Sequence, residues 1–154
     1  SEETVDLYEL TEDIGDTLLH SAQKKDITMK IEGITQEITG VRQILYEMLY
    51  NLMDNGIKYN VEHGKLWVRM WKTADKIYWQ VEDTGIGIAK DEQERIYERF
   101  YRVDKSHSRQ TGGTGLGLSI VKHGAALHHA QIRTESQPGQ GTKITIEFPL
   151  DRET

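Results

Sequence analysis

Apolar residues recur at helical spacing in three segments of the chain. The first segment carries them at Val5, Leu7, Leu10, Ile14, Leu18 and Leu19, and the second at Ile44, Leu45, Met48, Leu49, Leu52 and Met53. Side chains three and four positions apart share one face of an α-helix. The spacing therefore predicts amphipathic helices from residue 5 to the basic pair Lys24 and Lys25, over residues 41–59 and over residues 115–128.

Apolar and polar residues alternate in several shorter segments, as expected for strands with one buried face. The predicted strands are residues 27–32, a segment that ends near Gly40, and residues 66–70, 77–81, 132–134 and 143–148. Residues 66–70 and 77–81 flank a polar turn, so they predict a hairpin whose second strand is closed by Asp83.

Two segments have little apolar periodicity. Residues 90–100 are highly charged and are predicted to form a short helix, whereas residues 101–114 are polar and glycine-containing and are predicted to form a mobile surface loop. The order of helix, strands, helix, hairpin, loop, helix and strands predicts an α/β fold. We expect a two-layer α/β sandwich in which a mixed sheet has its helices packed on one face.

Composition limits the possible functions. The 154 residues include 19 Lys and Arg against 25 Asp and Glu, and the net charge of −6 disfavours binding to nucleic acid. The absence of cysteine excludes disulfides, a thiol nucleophile and a thiolate-bound metal. No apolar run approaches the roughly 20 residues that span a bilayer, and the acidic residues 1–6 do not resemble a signal peptide. We expect a single domain over residues 1–154, with its core in residues 5–150, cut from a longer protein.

Two glycine clusters are candidates for ligand contact. Asp83-Thr-Gly-Ile-Gly87 follows a predicted strand, and Gly112-Gly-Thr-Gly-Leu-Gly117 opens a predicted helix, where free backbone N–H groups favour an anion such as phosphate. Neither cluster has the spacing of a dinucleotide-binding motif, and the chain has no P-loop. Taken alone, each cluster fits a turn or a helix cap equally well.

A third candidate lies on the second predicted helix. Asn51 and Asn55 are four residues apart and share one face, with Lys58 and Tyr59 one turn further. Two carboxamide oxygens, together with phosphate oxygens and water, provide the hard ligands that Mg²⁺ prefers. Lys58 would then contact phosphate and Tyr59 would offer a ring to a base. The alternative is that both asparagines are solvated residues of an amphipathic helix.

The ordered set of motifs resembles the ATP-binding catalytic domain of bacterial sensor histidine kinases, a Bergerat-fold ATPase domain, over nearly all of residues 5–150. The segment Asn51-Leu-Met-Asp-Asn-Gly-Ile-Lys-Tyr59 resembles the N box, Asp83–Gly87 the first glycine box, Glu98-Arg-Phe-Tyr101 the F box, Gly113–Gly117 the second glycine box and Gly139-Gln-Gly-Thr142 the final glycine motif. Residues 99–104 further resemble kinases of the phosphate-response and cell-wall-response type.

The resemblance implies a role for each matching residue on the base side of an ATP site. Asp83 is expected to accept the adenine amine, and Gly85 and Gly87 to make room for the purine. Ile88 and Thr142 are also expected to contact the nucleotide.

The resemblance also implies the phosphate side of the site. Asn55, with Asn51, is expected to hold Mg²⁺, while Lys58 contacts phosphate and Tyr59 packs on adenine. The loop 101–114 is expected to close as an ATP lid, with the nucleotide also contacted by Gly113, Thr114, Gly115, Leu116 and Gly117. Arg102 and Arg109 of this lid are candidates to stabilise charge on the γ-phosphoryl group, and Phe100 and Tyr101 to dock on a partner helix.

Asn51 distinguishes subfamilies, because hydrolysing relatives of the gyrase and chaperone type place a glutamate general base there. An amide accepts no proton from water, so ATP is expected to be held for transfer and not hydrolysed rapidly. None of the six histidines is followed by an acidic residue, as the family's phosphoacceptor motif requires. The acceptor is therefore expected on a separate dimerisation domain, and the isolated chain is expected to be a monomer without autophosphorylation.

The predicted function is transfer of the γ-phosphoryl group of Mg-ATP to a histidine of the parent two-component kinase, which in turn serves a response regulator. The domain is expected to be cytoplasmic and free of membrane contact, in a parent anchored in the cell membrane. Alternatives are a nucleotide-binding sensory module without transfer activity and a serine kinase of the anti-sigma type.

Two positions depart from the family pattern. Gly56 replaces the usual alanine, which is expected to cost roughly 0.5 to 1 kcal/mol of helix stability. His129 and Ala130 stand where glycines are common, so one of them is expected to be strained if the backbone keeps a positive φ.

Overall fold

The computed structural model describes residues 1–98 and 116–150. The elements in chain order are β1 (Glu3–Asp6), α1 (Leu7–Lys24), β2 (Thr28–Glu32), β3 (Glu37–Gly40), α2 (Arg42–Lys58), β4 (Lys65–Lys72), β5 (Lys76–Asp83), α3 (Leu116–Leu127), β6 (Gln131–Ser136) and β7 (Thr142–Pro149). The predicted lid, residues 101–114, lies outside the described residues.

Five strands form a mixed sheet in the order β2-β4-β5-β7-β6. β2 is parallel to β4, and the other neighbours are antiparallel, including the predicted β4–β5 hairpin. β1 and β3 form a separate two-stranded antiparallel sheet. The prediction of an α/β fold with a mixed sheet is confirmed, because helices α1, α2 and α3 supply the second layer.

The core lies between the sheet and the helices. Strand residues such as Leu66, Trp79 and Ile146 are completely buried, together with Ile14 of α1 and Leu49 of α2. The period-2 alternation places these strand side chains on a single face of the sheet. The core therefore also keeps the end of β5 in contact with α2.

The one buried indole in this core has a dedicated hydrogen-bond partner. Trp79 Nε1 donates to Thr11 Oγ1 at 3.0 Å, and the Thr11 hydroxyl donates to the carbonyl of Leu7 at 2.7 Å. A buried indole N–H without an acceptor would lower the stability of the fold. Thr11, a polar residue on the apolar face of α1, provides that acceptor.

The first predicted helix begins later than the periodicity indicated. Val5 belongs to β1 and is fully buried, and α1 starts at Leu7. Asp6 caps the helix, because its carboxylate accepts the backbone N–H groups of Tyr8 and Glu9 at 2.9 and 3.1 Å. Pairing of Val5 with Ile38 of β3 decides the strand, and that long-range contact has no local signal.

The predicted short helix over residues 90–100 is wrong for the part that the structure describes. Two 3₁₀ turns, Lys90–Glu92 and Arg95–Tyr97, take its place. Only the adjacent Ile96 and Tyr97 are apolar, so there is no stripe for an α-helix to bury. The Tyr97 hydroxyl lies 2.7 Å from Thr134 Oγ1, and burial raises its pKa to about 12.

The expected backbone strain after α3 is present at His129, which has a φ of 57°. The preceding His128 is buried, lies 2.8 Å through Nδ1 from the carbonyl of Gly124, and accepts the backbone N–H of Val41 through Nε2 at 3.0 Å. This side chain therefore joins the end of α3 to the start of α2.

Candidate functional site

Asp83, the last residue of β5, has two oxygens in different environments. Oδ1 accepts the backbone N–H of Gly85 at 2.8 Å and that of Thr142 at 3.2 Å. Oδ2 has no hydrogen-bond partner within residues 1–98 and 116–150. Burial raises the pKa of the carboxyl group to about 6, although the two backbone N–H groups lower it in part.

The free oxygen of Asp83 faces α2. A Cβ added at Gly56 would lie 3.7 Å from Asp83 Oδ2 and 2.5 Å from Leu66 Cδ1. The glycine that looked like a local cost to the helix thus allows Leu66 to pack against α2. The fold brings the N-box helix and the acidic end of β5 together, as the resemblance implied.

The first glycine box lies against the chain itself. A Cβ at Gly85 would collide with the carbonyl oxygen of Tyr59, and one at Gly87, where φ is 76°, would collide with the carbonyl of Gln137. The backbone N–H of Ile86 donates to the same Tyr59 carbonyl at 3.1 Å. These glycines allow close contact with the end of α2 and with the β6–β7 turn, while their role in admitting a purine stays a prediction.

The α2 side of the site is more open. Asn51 donates through Nδ2 to the carbonyl of Glu47 at 2.6 Å, which leaves its Oδ1 available. Asn55 makes no side-chain hydrogen bond within the described part of the chain. Lys58 pairs with Asp54 at 3.1 Å, and their side chains are 36% and 16% exposed. Its predicted phosphate contact would replace or share this ion pair.

The donor set of this helix face fits a magnesium ion that is bound mainly by a nucleotide. Asn51 and Asn55 offer carboxamide oxygens one turn apart, and Mg²⁺ usually takes few protein ligands when phosphates are present. Among the described residues, no group of three or more His, Asp or Glu side chains has the arrangement of a metal site. Magnesium binding by these two asparagines stays a prediction.

The end of α2 is held by a residue that sequence reasoning missed. The ammonium group of Lys25 donates to the carbonyls of Ile57, Lys58 and Asn60 at 3.3, 2.6 and 3.0 Å. These carbonyls lie at or just beyond the C-terminus of the helix, where a positive charge is favourable, and that of Ile57 also accepts the backbone N–H of Asn60 at 3.2 Å. Burial lowers the pKa of Lys25. Lys25 thereby places the last turn of the N-box helix.

The loop after Gly87 is held by Ser136 and Gln93, which the motifs also did not reveal. Ser136 Oγ accepts the backbone N–H of Ile88 at 2.8 Å and lies 2.8 Å from Thr142 Oγ1. Gln93 Nε2 donates to the carbonyls of Ile88 and Ser136 at 3.0 and 2.9 Å. Ile88 and Thr142, which were predicted to contact nucleotide, therefore belong to one hydrogen-bonded cluster.

Several predicted residues lie outside the described part of the chain. They are Arg102, Arg109, Gly113, Thr114 and Gly115, together with Phe100 and Tyr101. Leu116 and Gly117 are the first two residues of α3, and only their backbone belongs to the described part of the chain.

The chain belongs to a known family. Residues 40–152 match the family model of histidine kinase-, DNA gyrase B- and HSP90-like ATPases. The matched region contains α2, Asp83 and both glycine clusters. The predicted Bergerat-type ATPase domain is thus confirmed, and membership of this family implies ATP binding.

The relatives of this chain are sensor histidine kinases. It is 44% identical over 130 residues to the sensor-like histidine kinase SenX3 of Mycolicibacterium smegmatis, which covers 84% of this chain and 34% of that protein. It is 40% identical over 112 residues to the phosphate regulon sensor protein PhoR of Pseudomonas aeruginosa, covering 73% and 25%. The chain spans about a third of the length of SenX3.

A solved structure supports the same relationship. The mycobacterial sensor histidine kinase MprB matches with a TM-score of 0.82 and 27% identity, over 97% of each chain. The resemblance to histidine kinases of the phosphate-response type is therefore confirmed. Among the described helices, none is long and apolar enough to cross a membrane.

Proposed function

We propose that this chain binds Mg-ATP and transfers the γ-phosphoryl group to a histidine on the dimerisation domain of a parent two-component sensor kinase. One observation carries the proposal. Asp83 presents one unpaired carboxylate oxygen towards α2 while its other oxygen is occupied by two backbone N–H groups. An acceptor held in place in this way suits an exocyclic amine, which needs a hydrogen-bond acceptor and carries no charge.

The residues of α2 would act on the other end of the nucleotide. Asn55 and Asn51 would contribute oxygen ligands to Mg²⁺, and the ion would neutralise charge on the phosphates. Lys58 would exchange Asp54 for a phosphate oxygen, and Tyr59 would pack on the adenine. Arg102 and Arg109 of the lid would stabilise the γ-phosphoryl group during transfer.

The amide at position 51 of α2 favours transfer over hydrolysis. Asn51 occupies the position where a carboxylate would take a proton from water, and its amide is already engaged with Glu47. Phosphoryl transfer to an imidazole needs mainly alignment and charge stabilisation. We propose that the acceptor lies outside this chain, that the domain acts as a monomer on the cytoplasmic side of a membrane-anchored parent, and that a response regulator receives the phosphoryl group.

Calorimetric titration tests nucleotide binding directly. ADP and a non-hydrolysable ATP analogue are titrated with and without Mg²⁺, and GDP and GTP serve as controls. Binding selective for adenine and strengthened by Mg²⁺ is the expected result. Equal binding of the guanine nucleotides would refute the role of Asp83, and no binding at all would favour a degenerate interaction module.

Transfer is tested by incubation with ATP labelled at the γ-phosphate. The full parent kinase is expected to acquire acid-labile label on a histidine, whereas this chain alone is expected to stay unlabelled. Label on a serine of a partner protein would instead support the anti-sigma type of kinase. Nucleotide binding without label on the parent would support the purely sensory module.

A further inference from the structure

Asn60, two residues after the end of α2, has a buried carboxamide that uses its full hydrogen-bonding capacity. Nδ2 donates to the carbonyls of Gly56 and Lys65, each at 3.0 Å. Oδ1 accepts the backbone N–H of Val61 at 2.8 Å and the hydroxyl of Thr84 at 2.9 Å. Only 4% of the residue is exposed. One side chain therefore joins the last turn of α2, the first residue of β4 and the residue after Asp83.

Thr84 completes this connection. Its hydroxyl donates to Asn60 and accepts the backbone N–H of Lys65 at 2.9 Å, and its own backbone N–H donates to the Lys65 carbonyl at 3.3 Å. A Cβ at Gly64 would collide with Asn60 Oδ1 and lie 2.6 Å from Thr84 Oγ1. Gly64 therefore packs closely against both side chains.

The pair lies between the two halves of the proposed site. Thr84 is adjacent to Asp83, and Asn60 follows Tyr59, whose carbonyl contacts Gly85 and accepts the N–H of Ile86. The hydrogen bonds of Asn60 and Thr84 therefore link the residue next to Asp83 to the end of α2.

We propose that Asn60 and Thr84 form a positioning pair that holds the Asp83 carboxylate at the correct distance from α2 for recognition of the adenine amine. Neither residue touches the base. The inference rests on the proposed function, because it assigns the selectivity of the same site to two residues that were not predicted to contact the nucleotide. Its consequence is specific: loss of the pair lowers affinity for adenine more than affinity for a purine that lacks the amine.

Thr84→Val tests the pair with the smallest change in shape. Valine removes the hydroxyl, so Asn60 Oδ1 loses a donor and Lys65 N–H loses its acceptor. Binding is measured for ADP and for IDP, in which a carbonyl replaces the amine. The expected result is a loss of about tenfold in ADP affinity and of less than about twofold in IDP affinity, because only the amine requires Asp83 in place. Thr84→Ser keeps the hydroxyl and is expected to restore ADP affinity.

Thr145→Val is the matched control. It also removes a threonine hydroxyl that accepts a hydrogen bond from β5, through Gln80 Nε2 at 3.0 Å. Ile144 faces the core, so the next residue, Thr145, lies on the face of the sheet that carries no helices. Loss of the Thr145 hydroxyl should therefore leave the ratio of ADP to IDP affinity unchanged. If Thr84→Val lowered the affinities for ADP and IDP by the same factor, or changed neither, the ratio of the two affinities would stay at the wild-type value. That result would overturn the positioning role.

Asn60→Asp provides a second variant with a larger expected change in the ratio. The carboxylate keeps the shape but replaces the Nδ2 donors by an acceptor that faces the carbonyls of Gly56 and Lys65. Folding of each variant is checked by circular dichroism, and Thr84→Val stands as the test if Asn60→Asp does not fold. If the wild-type chain bound ADP and IDP equally, base recognition by Asp83 would be refuted, and this inference with it. If the wild type preferred ADP and Thr84→Val kept the same preference, only the inference would be refuted.

Discussion

The two sides of the candidate site differ in how strongly the protein holds them before any ligand binds. On the β5 side, Asp83 is half-buried and its Oδ1 is held by two backbone N–H groups, with Thr142 and Ser136 in hydrogen-bond contact beside it. On the α2 side, Asn51 and Asn55 are half-buried, and Lys58 forms a partly exposed ion pair.

This difference matches the chemistry expected at each end of a nucleotide. A neutral amine is recognised through a hydrogen bond of defined geometry, so its acceptor must already be in position. A carboxylate that is shielded from water but out of position would only lower the stability of the fold. A triphosphate with Mg²⁺ is charged and partly hydrated, so long polar side chains and water can adapt to it. We therefore expect variants on the β5 side to change selectivity, and variants on the α2 side to change the dependence on Mg²⁺.

The largest effect is expected for Asp83→Asn. The amide oxygen can still accept the N–H groups of Gly85 and Thr142, but the second position becomes a donor that opposes the adenine amine. Affinity for ADP should fall by at least about tenfold with the fold intact, as measured by calorimetry and circular dichroism. Unchanged affinity would contradict the assignment of base recognition to the β5 side.

Asn55→Ala should act on the other side of the site. The variant loses a carboxamide oxygen but keeps the helix, so the increase in ADP affinity caused by Mg²⁺ should shrink by on the order of tenfold. Titrations with and without Mg²⁺ measure this increase. Gln43→Ala, an exposed amide on the same helix, is the control and should respond to Mg²⁺ as the wild type does. An identical Mg²⁺ response in both variants would exclude Asn55 as a ligand.

The pH dependence of selectivity should follow the pKa of Asp83, which burial raises to about 6. Only the ionised carboxylate leaves Oδ2 as an acceptor for the amine, because a proton on this oxygen would turn it into a donor. The ionised fraction falls about tenfold between pH 7 and pH 5, and ADP affinity should follow it. IDP has the same phosphates and corrects for their titration, so the ratio of ADP to IDP affinity is the quantity to measure. A ratio that stays constant over this range would contradict the prediction.

The same raised pKa implies a stability effect of opposite sign to the effect on binding. The folded state binds the proton of Asp83 more tightly than the unfolded state, so its contribution to stability is full below about pH 4 and is lost as pH rises towards 6. Asp83→Asn should therefore raise the unfolding free energy at pH 7, by up to about 3 kcal/mol, and by much less at pH 4. Denaturant titrations at the two pH values would show whether the gain depends on pH.

Lys25→Met tests how the end of α2 is held. It is expected to have the smallest effect on binding, and its measurable effect is on stability. Removal of the ammonium group takes one hydrogen bond from each of the carbonyls of Ile57, Lys58 and Asn60, although Ile57 keeps the backbone N–H of Asn60. The unfolding free energy should fall by about 1 to 2 kcal/mol. Lys24→Met changes the exposed neighbour and should stay within about 0.5 kcal/mol of wild type. Equal stability of the two variants would show that the C-terminal contact is not stabilising.

Much of this architecture was predictable from local pattern. The helical spacing in residues 41–59 gave α2 to within one residue at each end, and alternation on both sides of a polar turn gave the β4–β5 hairpin. The motifs also indicated that Asp83 and the N-box helix belong to one site, and the fold places them together.

The errors have a common physical origin. β1 forms because Val5 pairs with Ile38, more than thirty residues away, and no local property of residues 3–6 favours that pairing over continuation of the helix. The two 3₁₀ turns between residues 90 and 97 form because Gln93 hydrogen-bonds to Ile88 and to Ser136 of β6, and Tyr97 to Thr134 of β6. In both cases contacts between distant segments outweigh intrinsic propensity.

The sequence by itself determined the periods of helix and strand, the chemistry available and the order of the motifs, because these depend on neighbouring residues. Only the tertiary structure decided that one oxygen of Asp83 is occupied while the other faces α2, and that Lys25, Asn60, Thr84 and Ser136 hold the surrounding backbone. Those four residues are ordinary polar side chains in sequence. They acquire their roles because folding buries backbone N–H and carbonyl groups that must find partners, and the partners come from wherever the chain passes.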